Sequence, residues 1–215
     1  MALGFNFSSD GGSDSIIPIV KFDARAGRFS LRDYVDGAYV TKDITSDFAA
    51  IFDMENIETG SIDFSTGGAP SFALARFGNQ VPPPPSPTHK GGFRILLKLS
   101  NGLGGSIREF ASTAKACLRG VDALHDLYLK EVKENPGMLP VVKLKGTLPV
   151  TSGEGAKKST NYTPMFEIVS WKARPADLVY VPRAVTTAPV VGATVQMPPS
   201  TGSTPVSMGT ADDFG

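Results

Sequence analysis

Cysteine is almost absent. Cys117 stands alone in 215 residues, so no disulfide can form within the chain, and a reducing cytoplasm is the simplest compartment. Histidine occurs only at His89 and His125; with one cysteine and no suitably spaced carboxylates, these supply no zinc set. Neither histidine stands beside a nucleophile motif, and the chain has no phosphate loop and no dinucleotide fingerprint. No enzymatic activity, metal or cofactor is therefore expected. The sequence also lacks an apolar run of about eighteen residues and a charged start leading into an apolar stretch, so neither a membrane span nor a secretory leader is expected.

Apolar residues make up 41% of the chain, enough for one domain with a true core, and the length is short for two. Charge is balanced overall but segregated along the chain. Residues 1–87 hold 6 Lys/Arg against 11 Asp/Glu, residues 88–175 hold 14 against 7, and residues 176–215 hold 1 against 3. A basic middle between acidic ends suits a polyanion ligand together with an acidic segment left for another partner.

Residues 1–15, rich in Ser, Gly and Asp, are expected to be flexible. Short strands are expected at Ile16–Phe22 and Arg28–Arg32, divided by a turn ending on Gly27, and Tyr39-Val40 either extends this sheet or crosses over it. Two further strands are expected at Phe48–Met54 and Ile57–Phe64, with Gly60 marking a bulge or bend. Residues 65–92 depart from sheet rules. The run Pro82-Pro83-Pro84-Pro85 has no amide donors and prefers an extended left-handed helix, so this stretch reads as a protruding arm.

Lys90–Leu99 then reads as a strand with Phe93, Ile95, Leu97 and Leu99 on one face and Arg94, Leu96 and Lys98 on the other. Ser106-Ile-Arg-Glu109 has the form of a capping box. Behind it, Phe110, Ala114, Cys117, Val121, Leu124 and Tyr128 follow at helical spacing, so one long helix is expected from Ser106 to about Lys133. Strands at Val141–Leu144 and Phe166–Trp171 flank a basic loop that carries Lys157 and Lys158. From Ala184 onward there is no Lys or Arg, and the Pro, Thr, Val, Gly and Ser composition predicts a disordered tail over 184–215.

Cations and aromatics interleave across the basic middle. Lys90, Arg94, Lys98, Lys143, Lys145, Lys157, Lys158, Lys172 and Arg174 are candidate phosphate contacts, and Tyr162 and Trp171 are candidate stacking platforms, the combination that single-stranded nucleic acid requires. Strands, a helix and then two further strands resemble the layout of the oligonucleotide-binding barrel, so the expected fold is mainly β with one long helix, a five-stranded barrel of that type over residues 16–183. The end of the chain, Asp212-Asp213-Phe214, resembles the acidic, aromatic-tipped tail of bacterial and phage single-stranded DNA-binding proteins, although Gly215 follows the aromatic and only two carboxylates precede it. That resemblance implies a protein that coats and protects single-stranded DNA in the bacterial host's cytoplasm during replication or recombination. It also implies that Asp212, Asp213 and Phe214 recruit replication or repair proteins. Two alternatives remain open: a self-assembling virion or interaction component, and a strand-annealing recombination protein. A homo-oligomer is compatible with each of these readings.

Overall fold

The computed structural model describes residues 17–65 and 69–183; the expected flexible N-terminus and the acidic tail, with Asp212, Asp213 and Phe214, lie outside them. Three short strands come first: β1 (Val20–Asp23), β2 (Arg28–Val35) and β3 (Ala38–Asp43), paired antiparallel in that order. Val20, Phe22, Phe29 and Leu31 alternate inward with polar neighbours outward, as a half-buried sheet demands. Tyr39 and Val40 thus extend this sheet.

The second sheet contains β4 (Ala49–Phe52), β5 (Glu58–Asp63), β6 (Ser71–Arg76), β7 (Lys90–Leu99), β8 (Ile107–Ser112), β9 (Met138–Ser152) and β10 (Ser159–Ala173). Its order is β10-β9-β4-β7-β5-β6, with β8 on the other edge of β7. The mainly β class with one helix holds. The strands, however, form two open sheets of three and seven strands rather than one five-stranded barrel. A parallel bridge between Ile19 and Glu109 links the sheets, and the Tyr162 amide donates to the Ala24 carbonyl at 2.6 Å across the opposite side.

Both sheets and α1 (Lys115–Glu131) enclose a single main core. Phe29 stacks on Phe48 at 4.0 Å between ring centroids, with Phe110 and Phe166 tilted against Phe29 at 5.5 and 6.1 Å. Cys117, Val121, Leu124 and Tyr128 line the buried face of α1, as their spacing requires. Burial pushes the Cys117 thiol up to about 12. Because the thiolate is the reactive form, native protein at pH 8 is expected to be inert to an aromatic disulfide reagent, with one thiol per chain appearing only in denaturant; rapid native labelling would contradict this placement.

Three local expectations are overturned. Helix α1 begins at Lys115, not Ser106, because Ile107–Ser112 pairs with Phe93–Lys98 of β7. The Ser106 hydroxyl accepts from Arg108 Nε at 3.0 Å instead of capping a helix. A capping box is a four-residue local pattern, and the six-residue ladder along β7 outweighs it. The arm expected over 65–92 contains strand β6, with Phe72, Ala73 and Leu74 buried against β5. Its proline segment is fastened down: Thr88 donates to Asp63 at 2.5 Å, and the His89 ring lies between Ser86 at 2.8 Å and Ser71 at 3.1 Å. The basic loop is the far end of a long β9–β10 hairpin, and Lys157 and Lys158 sit at its tip.

Candidate functional site

The sheet face that carries the candidate phosphate contacts Arg94 and Lys98 is already covered by the chain itself. Residues 174–183 leave β10 and cross the outer face of the seven-stranded sheet as a strap. Leu178 is fully buried there against Leu96 and Leu139, a contribution of about 2 kcal/mol. Asp177 meets Lys98 Nζ at 2.5 Å. The Val181 carbonyl accepts from Arg94 Nη1 at 3.0 Å, and the Tyr180 hydroxyl donates to Glu58 at 3.0 Å. Arg183 reaches Glu109 at 2.8 Å.

Arg94 is therefore no phosphate contact. It is 2% exposed, and its guanidinium bridges two buried carboxylates, Glu109 through Nε at 2.7 Å and Glu58 through Nη1. A central strand buried on both faces admits a cation only where carboxylates neutralise it. Arg174 is likewise committed, to Asp53 at 2.6 Å and Glu55 at 2.8 Å, and these carboxylates raise its pKa further. Lys98 is held by Asp177, and this aspartate titrates below the usual carboxylate range because Lys98 bonds to it.

The two aromatics expected as stacking platforms take part in packing. Trp171 stacks on Tyr128 of α1 at 5.9 Å and 28°, and its indole N–H donates to Glu131 at 3.3 Å. Tyr162 lies across the β1–β2 turn, where a Cβ added to Gly27 would stand 3.0 Å from the tyrosine Cβ and Cγ. Lys90, Lys143, Lys145, Lys157, Lys158 and Lys172 are exposed and carry no ion pair among the described residues. They are spread over the start of β7, the body of β9–β10 and the hairpin tip. Lys98 and Lys172 do share one depression of about 180 Å³ floored by Ile51 and Val141.

The structure brings cations and open aromatic faces together elsewhere, on the outer face of β1–β3. Register places Tyr34 opposite Tyr39 and Arg32 opposite Thr41, so these side chains share a face, with Lys21 opposite Ser30 on the neighbouring strand. Both tyrosines are 66% exposed. Their rings meet edge-on at 5.1 Å, and the Arg32 guanidinium lies 4.3 Å above the Tyr39 ring. Lys21, Ser30, Arg32, Tyr39 and Thr41 line a depression of about 550 Å³. Lys21 and Arg32 have no ion pair among the described residues, whereas Arg28 at the margin is joined to Asp43 at 3.3 Å. Asp43 is held below its usual pKa by the Thr45 hydroxyl and amide, and Asp23 by the amides of Arg25 and Ala26. At neutral pH both are charged and border the cations.

This face escapes a reading by charge blocks, because residues 1–87 are acidic in sum. The available signal was local: the outward row Arg28, Ser30, Arg32, Tyr34 continues through Asp36-Gly37, a favoured two-residue hairpin turn, into Tyr39 and Thr41. Both turn residues take positive φ, 50° at Asp36 and 83° at Gly37, the pattern that matches the twist of the flanking strands.

Comparison with protein-family models, with curated proteins and with solved structures returned no match. Among the described residues no helix is long and apolar enough to cross a membrane.

Proposed function

We propose that the protein binds single-stranded nucleic acid, in the first instance single-stranded DNA, with little sequence preference. In this reading the chain end Asp212-Asp213-Phe214 serves as the contact for replication or recombination proteins. The observation that supports it is the exposed Tyr34–Tyr39–Arg32 cluster with Lys21 beside it on one open sheet face. Bases stack on exposed rings irrespective of their identity, and guanidinium and ammonium groups neutralise the phosphates between them. The exposed lysines of the β9–β10 hairpin are further cations outside that face. One core enclosed by the two linked sheets is compatible with an oligonucleotide-binding-like arrangement more elaborate than five strands.

The test is the affinity of the double variant Tyr34→Ala/Tyr39→Ala for an oligo-dT strand. With each stack worth about 1–3 kcal/mol, binding should weaken about thirtyfold or more while the melting temperature stays close to that of the parent, because both rings are exposed. Wild-type affinity should fall with salt at a log–log slope of about −0.7 per phosphate contacted. Unchanged affinity in the double variant, or equal weak binding to duplex and single strand, overturns the reading. An annealing protein would in addition accelerate the pairing of complementary strands.

A further inference from the structure

We propose that Ser71 and His89 form a nucleophile–base pair that takes acyl groups from activated esters. Two local features gather the side chains. Asp63 and Ser71 are direct partners in the β5–β6 ladder, and paired residues project to one face of a sheet. Ser86-Pro87-Thr88-His89 is a turn closed by the His89 amide on the Ser86 carbonyl at 3.2 Å, with serine at its first position and proline at its second, as such turns favour. The turn sets the hydroxyls of Ser86 and Thr88 and the imidazole of His89 against Asp63 and Ser71.

The hydrogen bonds form one chain with a fixed direction. Its far end is Asp63, whose pKa is held down to about 2 by the Ser65 hydroxyl, the Thr88 hydroxyl and the Ser65 amide. The carboxylate is therefore ionised and can only accept. Thr88 gives its single hydroxyl proton to Asp63 at 2.5 Å, so Ser86, 2.6 Å from the Thr88 oxygen, must donate to it. Having no second proton, Ser86 accepts from His89 Nδ1 at 2.8 Å. In the neutral ring Nε2 is then without a proton, and it accepts the Ser71 hydroxyl at 3.1 Å. Fastening the proline segment would be served by either tautomer; the relay selects the one that turns the base toward Ser71. A serine hydroxyl on an unprotonated imidazole nitrogen, with the other nitrogen oriented through to a carboxylate, is how a weak hydroxyl nucleophile is activated.

Ser71, Ser86 and His89 are half-buried, so solvent reaches the pair. Asp63 and Thr88 also form part of the wall of a depression of about 350 Å³ that holds Ile62, Phe64 and Lys90. Phe64 is 49% exposed, and Lys90 carries no ion pair among the described residues. This volume and its apolar walls suit a small acyl group, and the ammonium suits negative charge developing on its ester. In acyl transfer the Ser71 oxygen bonds to the ester carbonyl carbon while its proton passes to Nε2. The adduct then breaks its bond to the alcohol oxygen, which takes that proton from Nε2, leaving an acyl-serine and the free alcohol. Water attacks the acyl-serine by the same route and restores Ser71. Ser71 and His89 are the catalytic residues, and Ser86, Thr88 and Asp63 are positioning residues. None of this depends on nucleic-acid binding.

The test treats the full chain with an alkyl fluorophosphonate, whose P–F bond an activated serine oxygen displaces, and separately with p-nitrophenyl acetate. Wild type should be phosphonylated at Ser71, located by fragment masses, and should release p-nitrophenolate; Ser71→Ala should lose the label and the Ser71-dependent part of the release. Both reactions should fall away at acid pH, where the imidazolium no longer accepts a proton. His89→Gln keeps a donor and an acceptor for the two serines but no base, and should slow labelling about a hundredfold or more with an unchanged circular dichroism spectrum. Thr88→Val, which cuts the relay, should slow it about tenfold or more, and Thr88→Ser should restore it. An unlabelled Ser71 in wild type overturns the proposal, as does His89→Gln labelled at the wild-type rate. So does a Thr88→Val protein that reacts as fast as wild type, which would leave the hydrogen-bond chain as a fastening for the proline segment.

Discussion

Arg94→Ala is expected to cost about 3–5 kcal/mol of folding stability, because it leaves buried carboxylates without their cation. Glu58 is 2% and Glu109 2% exposed; after the substitution, Glu109 keeps Arg183, whereas Glu58 keeps the Tyr180 hydroxyl and no cation among the described residues. For a chain of this length the melting temperature should fall by about 6–20 °C. Arg94→Lys should rescue this only in part, since Nε and Nη1 hold different carboxylates and an ammonium has no such fork. Adding Glu58→Gln to Arg94→Met should recover stability relative to Arg94→Met alone, because the stranded charge is then removed. Urea and thermal denaturation of the wild type and these four variants measure all of this. Were Arg94 a phosphate contact instead, Arg94→Ala would leave the melting point unchanged and lower the salt slope of DNA binding by about 0.7.

Gly120→Ala should destabilise the protein, against the direction helix propensity alone dictates. Alanine in an exposed helix interior gains about 1 kcal/mol over glycine. Here a Cβ at position 120 would stand 2.7 Å from Pro164 Cγ and within van der Waals distance of the Pro164 carbonyl oxygen. Glycine is what lets α1 lie directly on β10. Backbone cannot move aside as a side-chain tip can, so the overpacking term of about 1–3 kcal/mol should outweigh the propensity gain. Ala123→Gly, on the exposed side of the same helix, provides the reference for propensity alone, at about 1 kcal/mol lost. A net gain in melting temperature for Gly120→Ala would show that α1 and β10 are not in this contact.

Both effects concern residues whose identity was plain in the sequence and whose surroundings were not. The alternation of Phe93, Ile95, Leu97 and Leu99 marked the β7 strand and its core face correctly. It also set Arg94 and Lys98 on the second face, but alternation reports sidedness and says nothing of what covers a side. The covering strap lies some 80 residues further along, with Asp177, Leu178 and Tyr180 as anchors. Helix propensity alone marks Gly120 as a weak point of α1, and only Pro164 of β10, packed against it, gives the glycine a reason. Phe110 stands at a helical spacing from Ala114, but a spacing of four is also even, so Phe110 fits a strand equally well. Pairing with β7 decided between them.

What the chain determines locally is its mainly β class, the apolar stripe of α1 from Cys117 to Tyr128, the turn at Asp36-Gly37 and the alternation that sides each strand. These follow from backbone sterics and from the periods of helix and strand, which act over a few residues. Only the tertiary structure decided which cations remain free. Burial is a property of the assembled sheet, and a buried charge takes a partner wherever in the chain that partner lies. So Arg94 and Arg174 are consumed by internal carboxylates, while Lys21, Arg32, Tyr34 and Tyr39, drawn from an acidic stretch, are left on an open sheet face with no ion pair among the described residues.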